Sequence, residues 1–186
     1  MLITITGPSG SGKGFIKEKI TQRIPSIKEL SWLTTRPPRN NNPENNRINI
    51  NDKEFEKMMG SDQLILVQKL YGNFYGLRKS DLFMDNSEIL FTEFHIDNFL
   101  KTTNQFNFFS IALMPTSLSI LETRLRKRST EDSDQIETRI IAAREEVKKI
   151  KTNRTLFSVV MYFSGDFEES SIADLLQKID YAIKGG

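Results

Sequence analysis

The chain contains no cysteine. Disulfides and thiolate metal sites are therefore excluded, and the composition suits a reducing compartment. Histidine is almost as scarce, with His95 the single one in 186 residues. Metal centres and nucleophilic triads need more partners than one imidazole, so His95 is expected to be structural or a minor site lining. No apolar run approaches the ~20 residues that span a bilayer. Met1 is followed at once by a strand pattern, without the basic n-region and apolar h-region of a signal peptide. An excess of one charge is missing too: 26 Lys and Arg stand against 24 Asp and Glu, a net +2. That balance marks neither nucleic acid nor a membrane surface as a partner. The expectation is a soluble cytoplasmic protein with one large domain; monomer and homodimer both stay open.

What is present begins at the first residues. An apolar run, Leu2-Ile3-Thr4-Ile5-Thr6, leads into Gly7-Pro8-Ser9-Gly10-Ser11-Gly12-Lys13-Gly14. A strand that ends in a glycine-rich loop with a lysine holds nucleotide phosphates: small residues let backbone N–H groups turn onto the oxygens, and the lysine adds a cation. A helix predicted from about Lys13 to Arg23 aims its positive end at the same anion. One position departs from the pattern. Gly14 and Phe15 stand where a serine or threonine hydroxyl is wanted.

Strands and helices alternate along most of the chain. Strands are expected at residues 27–33, 89–94, 108–114 and 156–163. Helices are expected at 97–103, 117–127, 136–150 and 172–183, with a polar acidic loop at 129–135. This order implies a parallel sheet covered on both faces, with ligands at the carboxyl ends of its strands. Residues 36–78 read differently. Two prolines forbid helix in Thr34-Thr35-Arg36-Pro37-Pro38-Arg39, residues 40–46 form an Asn-rich loop, and short strands at 47–50, 64–67 and 71–75 surround a helix capped by Asn51 or Asp52.

Two further groups of cations stand out. Arg36 and Arg39 lie on a rigid extended segment, suited to bidentate grip on a phosphate. Arg124, Arg126, Lys127 and Arg128 precede the acidic loop, with Arg139 and Arg144 beyond it; Arg124 and Arg128 share a helix face. Phosphoryl transfer is mostly positioning and charge neutralisation, and arginines on a mobile lid are a common device for it. A donor loop, an Arg pair for an acceptor phosphate and an Arg cluster for the transferring group together imply a kinase of phosphorylated small molecules.

The order and spacing of G-P-S-G-S-G-K, T-T-R-P-P-R, G-N-F-Y-G and R-L-x-x-R…I-x-x-R-I-x-x-A-x-x-E resemble the guanylate kinase family over nearly the whole chain. The resemblance implies a P-loop α/β/α core (1–35 and 79–186), a small β-rich acceptor-binding insertion (36–78) and a helical lid (124–150). It implies transfer of the ATP γ-phosphoryl group to GMP, with Mg²⁺. Carried over residue by residue, Gly7, Pro8, Ser9, Gly10, Ser11, Gly12, Lys13 and Gly14 would bind the ATP phosphates. Lys13, Arg124, Arg128 and Arg139 would be catalytic. Arg36, Arg39, Tyr75 and Glu93 would bind the acceptor.

The base-reading positions depart from the family. Leu77 stands for a serine or threonine, Leu66 for a glutamate, Glu93 for an aspartate and Trp32 for a serine. Ile48 or Arg47 stands for a tyrosine, and Met161 or Tyr162 for an asparagine. At about 1–3 kcal/mol for each lost hydrogen-bond partner, the expected cost to GMP binding is several orders of magnitude. If the register of the insertion shifts, Gln68, Lys69 or Asn73 are polar replacements. With no hydroxyl after Lys13, Mg²⁺ is expected to be held by phosphates and waters, with Glu93 as an outer acceptor and no protein metal ligand. Three readings remain: a GMP kinase with relaxed or altered acceptor choice, a kinase of another phosphorylated acceptor such as a ribose phosphate or modified nucleotide, and a catalytically silent binding module.

Overall fold

Every residue from Leu2 to Thr6 is buried, isoleucine and threonine alike, so this first strand has no solvent face. Only a strand inside a covered parallel sheet is buried in that way. The computed structural model describes residues 1–38, 46–82, 88–103, 105–128 and 132–185, with Arg128 by its backbone alone. In chain order the elements are β1 (Leu2–Thr6), α1 (Lys13–Arg23), β2 (Lys28–Glu29), β3 (Trp32–Thr34), β4 (Arg47–Asn49), α2 (Asp52–Gly60), β5 (Leu64–Leu70) and β6 (Asn73–Arg78). They continue with α3 (Lys79–Leu82), β7 (Leu90–Phe94), α4 (Ile96–Thr102), β8 (Phe108–Pro115), α5 (Leu118–Arg128), α6 (Ser133–Thr152), β9 (Val159–Phe163) and α7 (Glu169–Ile183).

Five strands form a parallel sheet in the order β2-β7-β1-β8-β9. Ile3 lies opposite Phe109 and Ile5 opposite Ile111, while Leu113 lies opposite Met161. Sequence neighbours separated by helices thus become non-sequential neighbours in the sheet, as the alternation predicts. Backbone contacts divide the chain into two units, Met1–Ile27 with Glu93–Gly186, and Lys28–Thr92.

The first unit carries the phosphate loop. Its helices bury Ile16 and Ile20 of α1, Leu121 and Leu125 of α5, Ala143 and Ile150 of α6, and Leu175 and Ile179 of α7. Beneath α4, Phe99 stacks on Phe157 with centroids 4.4 Å apart, and Phe108 meets Phe94 edge-on at 6.0 Å. His95 caps α4, its Nδ1 accepting from the Asp97 amide at 3.3 Å. An imidazole that accepts at Nδ1 carries its proton at Nε2, which faces Glu146 Oε1 of α6 at 3.4 Å. The lone histidine is therefore a cap and an interhelical tie.

The second unit is a four-stranded sheet, β4-β3-β6-β5, with β3 parallel to β4 and antiparallel to β6. One face packs on α2 through Leu33, Phe55 and Leu64, joined by Ile50, Met58, Val67 and Phe74. Asn51 caps α2 by accepting from the Glu54 amide at 2.9 Å.

Several boundaries differ from the sequence expectation. β5 runs on to Leu70, and the hairpin turns at Tyr71-Gly72, both at positive φ (49° and 80°). A two-residue hairpin loop needs positive φ at both places to match strand twist. α6 begins at Ser133 because Asp132 caps it, accepting from the Gln135 amide at 2.8 Å. Part of the expected acidic loop is thus helix. Leu156 belongs to a 3-10 turn, Arg154–Leu156, and β9 starts three residues later than that turn's end, at Val159. The short α3 has no counterpart in the sequence reading.

Candidate active site

The first unit brings the predicted donor residues together. Gly12 opens α1 at φ 92°, in the left-handed region that glycine tolerates, and no side chain caps the helix. The amides of the first turn are left for an anion. Lys13 Nζ donates to the carbonyls of Gly7 at 2.7 Å and Pro8 at 3.3 Å, so the ammonium sits in the curve of the loop. Ser11 is fully buried, and its Oγ has no hydrogen-bond partner among the described residues.

The loop's glycines are required by space. A Cβ on Gly7 would lie 2.8 Å from Ser11 Oγ and 2.9 Å from the Leu113 carbonyl. The Gly7→Ala change should therefore cost about 1–3 kcal/mol through overpacking against backbone, seen as a lower urea midpoint with an unchanged m-value. At Gly14, by contrast, a Cβ would meet nothing within 4 Å, and Phe15 turns its ring away to stack parallel to Phe167 at 6.1 Å. Neither residue supplies a hydroxyl. No group of three or more His, Asp or Glu that could hold a metal ion occurs among the described residues. The side chains around the loop therefore do not fit a Mg²⁺ site made by protein alone.

Two of the predicted arginines reach this loop. Arg124 donates from Nη1 to the Gly10 carbonyl at 3.0 Å and from Nη2 to the Gly165 carbonyl, with its guanidinium 4.7 Å from the Phe163 ring. Arg139 Nη1 lies 2.8 Å from Ser9 Oγ. Two arginines, 114 and 130 positions from their partners in sequence, thus converge on one eight-residue segment, and both carry fixed positive charge. Arg128 ends α5, and its side chain lies outside the described residues. Sequence reasoning missed Phe163 and Phe167. Phe167 seats against Gly12, whose added Cβ would come 2.8 Å from its ring, and no motif signals that contact.

The second unit brings Arg36 and Tyr75 together. Thr34 pairs with Tyr75 across β3 and β6. Thr34 Oγ1 accepts from the Arg36 amide at 3.1 Å, and Asn49 Nδ2 donates to the Arg36 carbonyl. Thr35 Oγ1 accepts from the Phe74 amide at 3.0 Å, and the Thr35 amide donates to the Phe74 carbonyl at 3.1 Å. The two threonines before the arginine are therefore positioning residues: they lock the arginine's backbone and tie it to the strand that carries the tyrosine. Arg47 lies over the Tyr75 ring at 5.9 Å. Arg39 and the Asn-rich loop at 40–45 lie outside the described residues.

Three of the positions expected to read a base, Leu77, Trp32 and Leu66, carry apolar side chains. Gly76 faces Phe55 and Leu64, so by strand alternation Tyr75 and Leu77 share the opposite face. Continuing the β3–β6 register puts Trp32 opposite Leu77. Leu77 is fully buried, and Trp32, 5% exposed, spends its one polar atom on Thr92 Oγ1 at 3.0 Å. Leu66 sits at a bulge with φ 58°, a left-handed conformation that costs a branched residue about 1–2 kcal/mol. Glu93 lies on β7, half-buried.

The guanylate kinase family model matches residues 1–180. A guanylate kinase of Carboxydothermus hydrogenoformans is 34% identical over 152 residues, covering 79% of this chain and 74% of that one. One of Gloeobacter violaceus is 31% identical over 150 residues, covering 78% and 73%. The crystal structure of guanylate kinase from Anaplasma phagocytophilum covers all of this chain and 85% of its own, with a TM-score of 0.70 at 18% identity, a likeness of fold. With the family model matched over residues 1–180 and the G-P-S-G-S-G-K and T-T-R motifs within that span, the chain belongs to the guanylate kinase family, the ATP-dependent nucleoside monophosphate kinases.

Proposed function

We propose that the chain transfers the γ-phosphoryl group of ATP to GMP, with weaker discrimination between acceptor bases than a hydrogen-bonding base pocket gives. The observation that carries this reading is a contrast. Lys13, Arg124, Arg139, Arg36 and Tyr75 keep their polar groups, whereas Leu77 and Trp32 present carbon where base contacts are expected. Lys13, the loop amides, Arg124 and Arg139 take the donor phosphates; Arg36 and Tyr75 take the acceptor's phosphate. Mg²⁺ is left to phosphate oxygens and water, because positions 14 and 15 offer it no side-chain oxygen.

Magnitudes set the test. A site that hydrogen-bonds its substrate rejects an analogue lacking the partner by about 10⁴–10⁵, whereas an apolar pocket discriminates by about 10–200-fold. Across a panel of monophosphates, kcat/KM for GMP should therefore exceed that for the next best base by no more than about 200-fold. A ratio of about 10⁴ or more would overturn the relaxed-specificity reading. Turnover confined to a non-guanine acceptor would replace GMP with that compound. Within the same panel, Arg36→Ala should raise the acceptor KM by about 10²-fold, since it removes a charge-assisted grip of about 2–3 kcal/mol, and leave the ATP KM within about twofold.

A further inference from the structure

On the first unit, away from the phosphate loop, a hollow of about 420 Å³ opens between the end of β8 and the last turns of α6. Arg144, Lys148 and Lys151 line it from α6, with the hydroxyls of Thr116, Ser117 and Thr152, and no carboxylate is among its lining residues. The three cations stand at i, i+4 and i+7, so they share one helix face and span a rise of about 10 Å. Among the described residues, none of these three side chains makes an ion pair or a hydrogen bond. Other cations of the same unit are paired: Lys149 with Asp97, Arg126 with Glu122, Lys178 with Asp174.

Ordinary helix physics accounts for Lys151, in the last turn of α6, and not for Arg144. The helix dipole favours cations only in the last turn, and Arg144 lies two turns before Thr152. Like charges at i and i+4 destabilise a helix in the absence of a counter-charge. We propose that the hollow binds a chain of linked phosphates, a di- or triphosphate, with Arg144, Lys148 and Lys151 each facing successive phosphoryl groups and the hydroxyls donating to the oxygens between them. The volume falls in the range of small-ligand sites, about 300–1,000 Å³. Concavity and the short span favour a small polyanion over a flat macromolecular surface. None of the residues that line it is among those assigned above to ATP or to the acceptor, and its ligand does not depend on the base chosen.

Amide chemical shifts of the full chain, titrated with inorganic tripolyphosphate, distinguish the hollow from the Gly7–Lys13 loop residue by residue. The amides of Thr116, Ser117, Lys148 and Lys151 should shift saturably, with affinity at least about tenfold above that for orthophosphate. The combined change Lys148→Gln and Lys151→Gln, both on exposed positions, should weaken this response by at least about tenfold while the loop response and phosphoryl transfer persist. Lys148→Gln alone should weaken it in the same direction by less. Raising the salt should weaken it as well. A nucleoside triphosphate arm assigns the source: tighter binding than tripolyphosphate means a nucleotide, equal binding a bare phosphate chain. Shifts confined to residues 7–13, equal affinity for orthophosphate, or a hollow response that survives the double change would overturn the proposal.

Discussion

Lys13→Ala is expected to lower kcat/KM for phosphoryl transfer by about 10³-fold. Phosphoryl transfer develops charge on oxygens the protein barely touches covalently, so a fixed cation inside the loop is worth most where water is excluded. Lys13 Nζ already sits within 2.7 Å of the Gly7 carbonyl, aimed into the curve of the loop. Removing it leaves the amide ring intact, because that ring is set by Gly7, Gly10 and Gly12. Folding should therefore hold: alanine is a good first-turn residue, and the urea midpoint should move by less than about 0.5 kcal/mol in equivalent stability. Loss of rate with an unchanged midpoint separates a chemical role from a structural one. Activity within about tenfold of the parent would remove Lys13 from the mechanism.

Arg124→Ala should lower kcat by about 10²–10³-fold and, unlike Lys13→Ala, cost about 1–2 kcal/mol of stability. Its guanidinium ties the carbonyls of Gly10 and Gly165 and lies over Phe163, so it fastens the phosphate loop to the segment after β9. Three contacts from one planar group are what a lysine cannot reproduce. Arg124→Lys should hence recover less than about tenfold of the lost rate. Steady-state rates and denaturation midpoints on the two variants check both parts. Full recovery by lysine would show that only the charge matters.

The helix α1 was legible in the sequence to the residue, because a glycine-rich loop and buried Ile16 and Ile20 mark its start and its face. The acceptor motif was legible as an arginine near a tyrosine, but its means of assembly was not. Hydrogen bonds from Thr34, Thr35 and Asn49 run between segments far apart in sequence, and no local pattern announces them. The parallel β3–β4 pair is hidden for the same reason. Residues 71 and 72, expected as strand, instead form the hairpin turn, because tyrosine at positive φ is a poor local choice that tertiary pairing overrides. Asp132 looks like a solvated loop acid until α6 is seen to start one residue later. Arg144 was visible as one of several lid cations; Lys148 and Lys151 give the same composition signal as any solvated helix, and only the hollow beside them groups the three.

The most direct measurement is product detection by phosphorus NMR in a mixture of the chain, ATP, Mg²⁺ and GMP. The account predicts ADP and GDP appearing in equal amounts, with no release of orthophosphate, and neither product forming with Lys13→Ala. ATP that persists unchanged beside GMP and every other monophosphate, or that is consumed to ADP and orthophosphate without a diphosphate product from the acceptor, would contradict it.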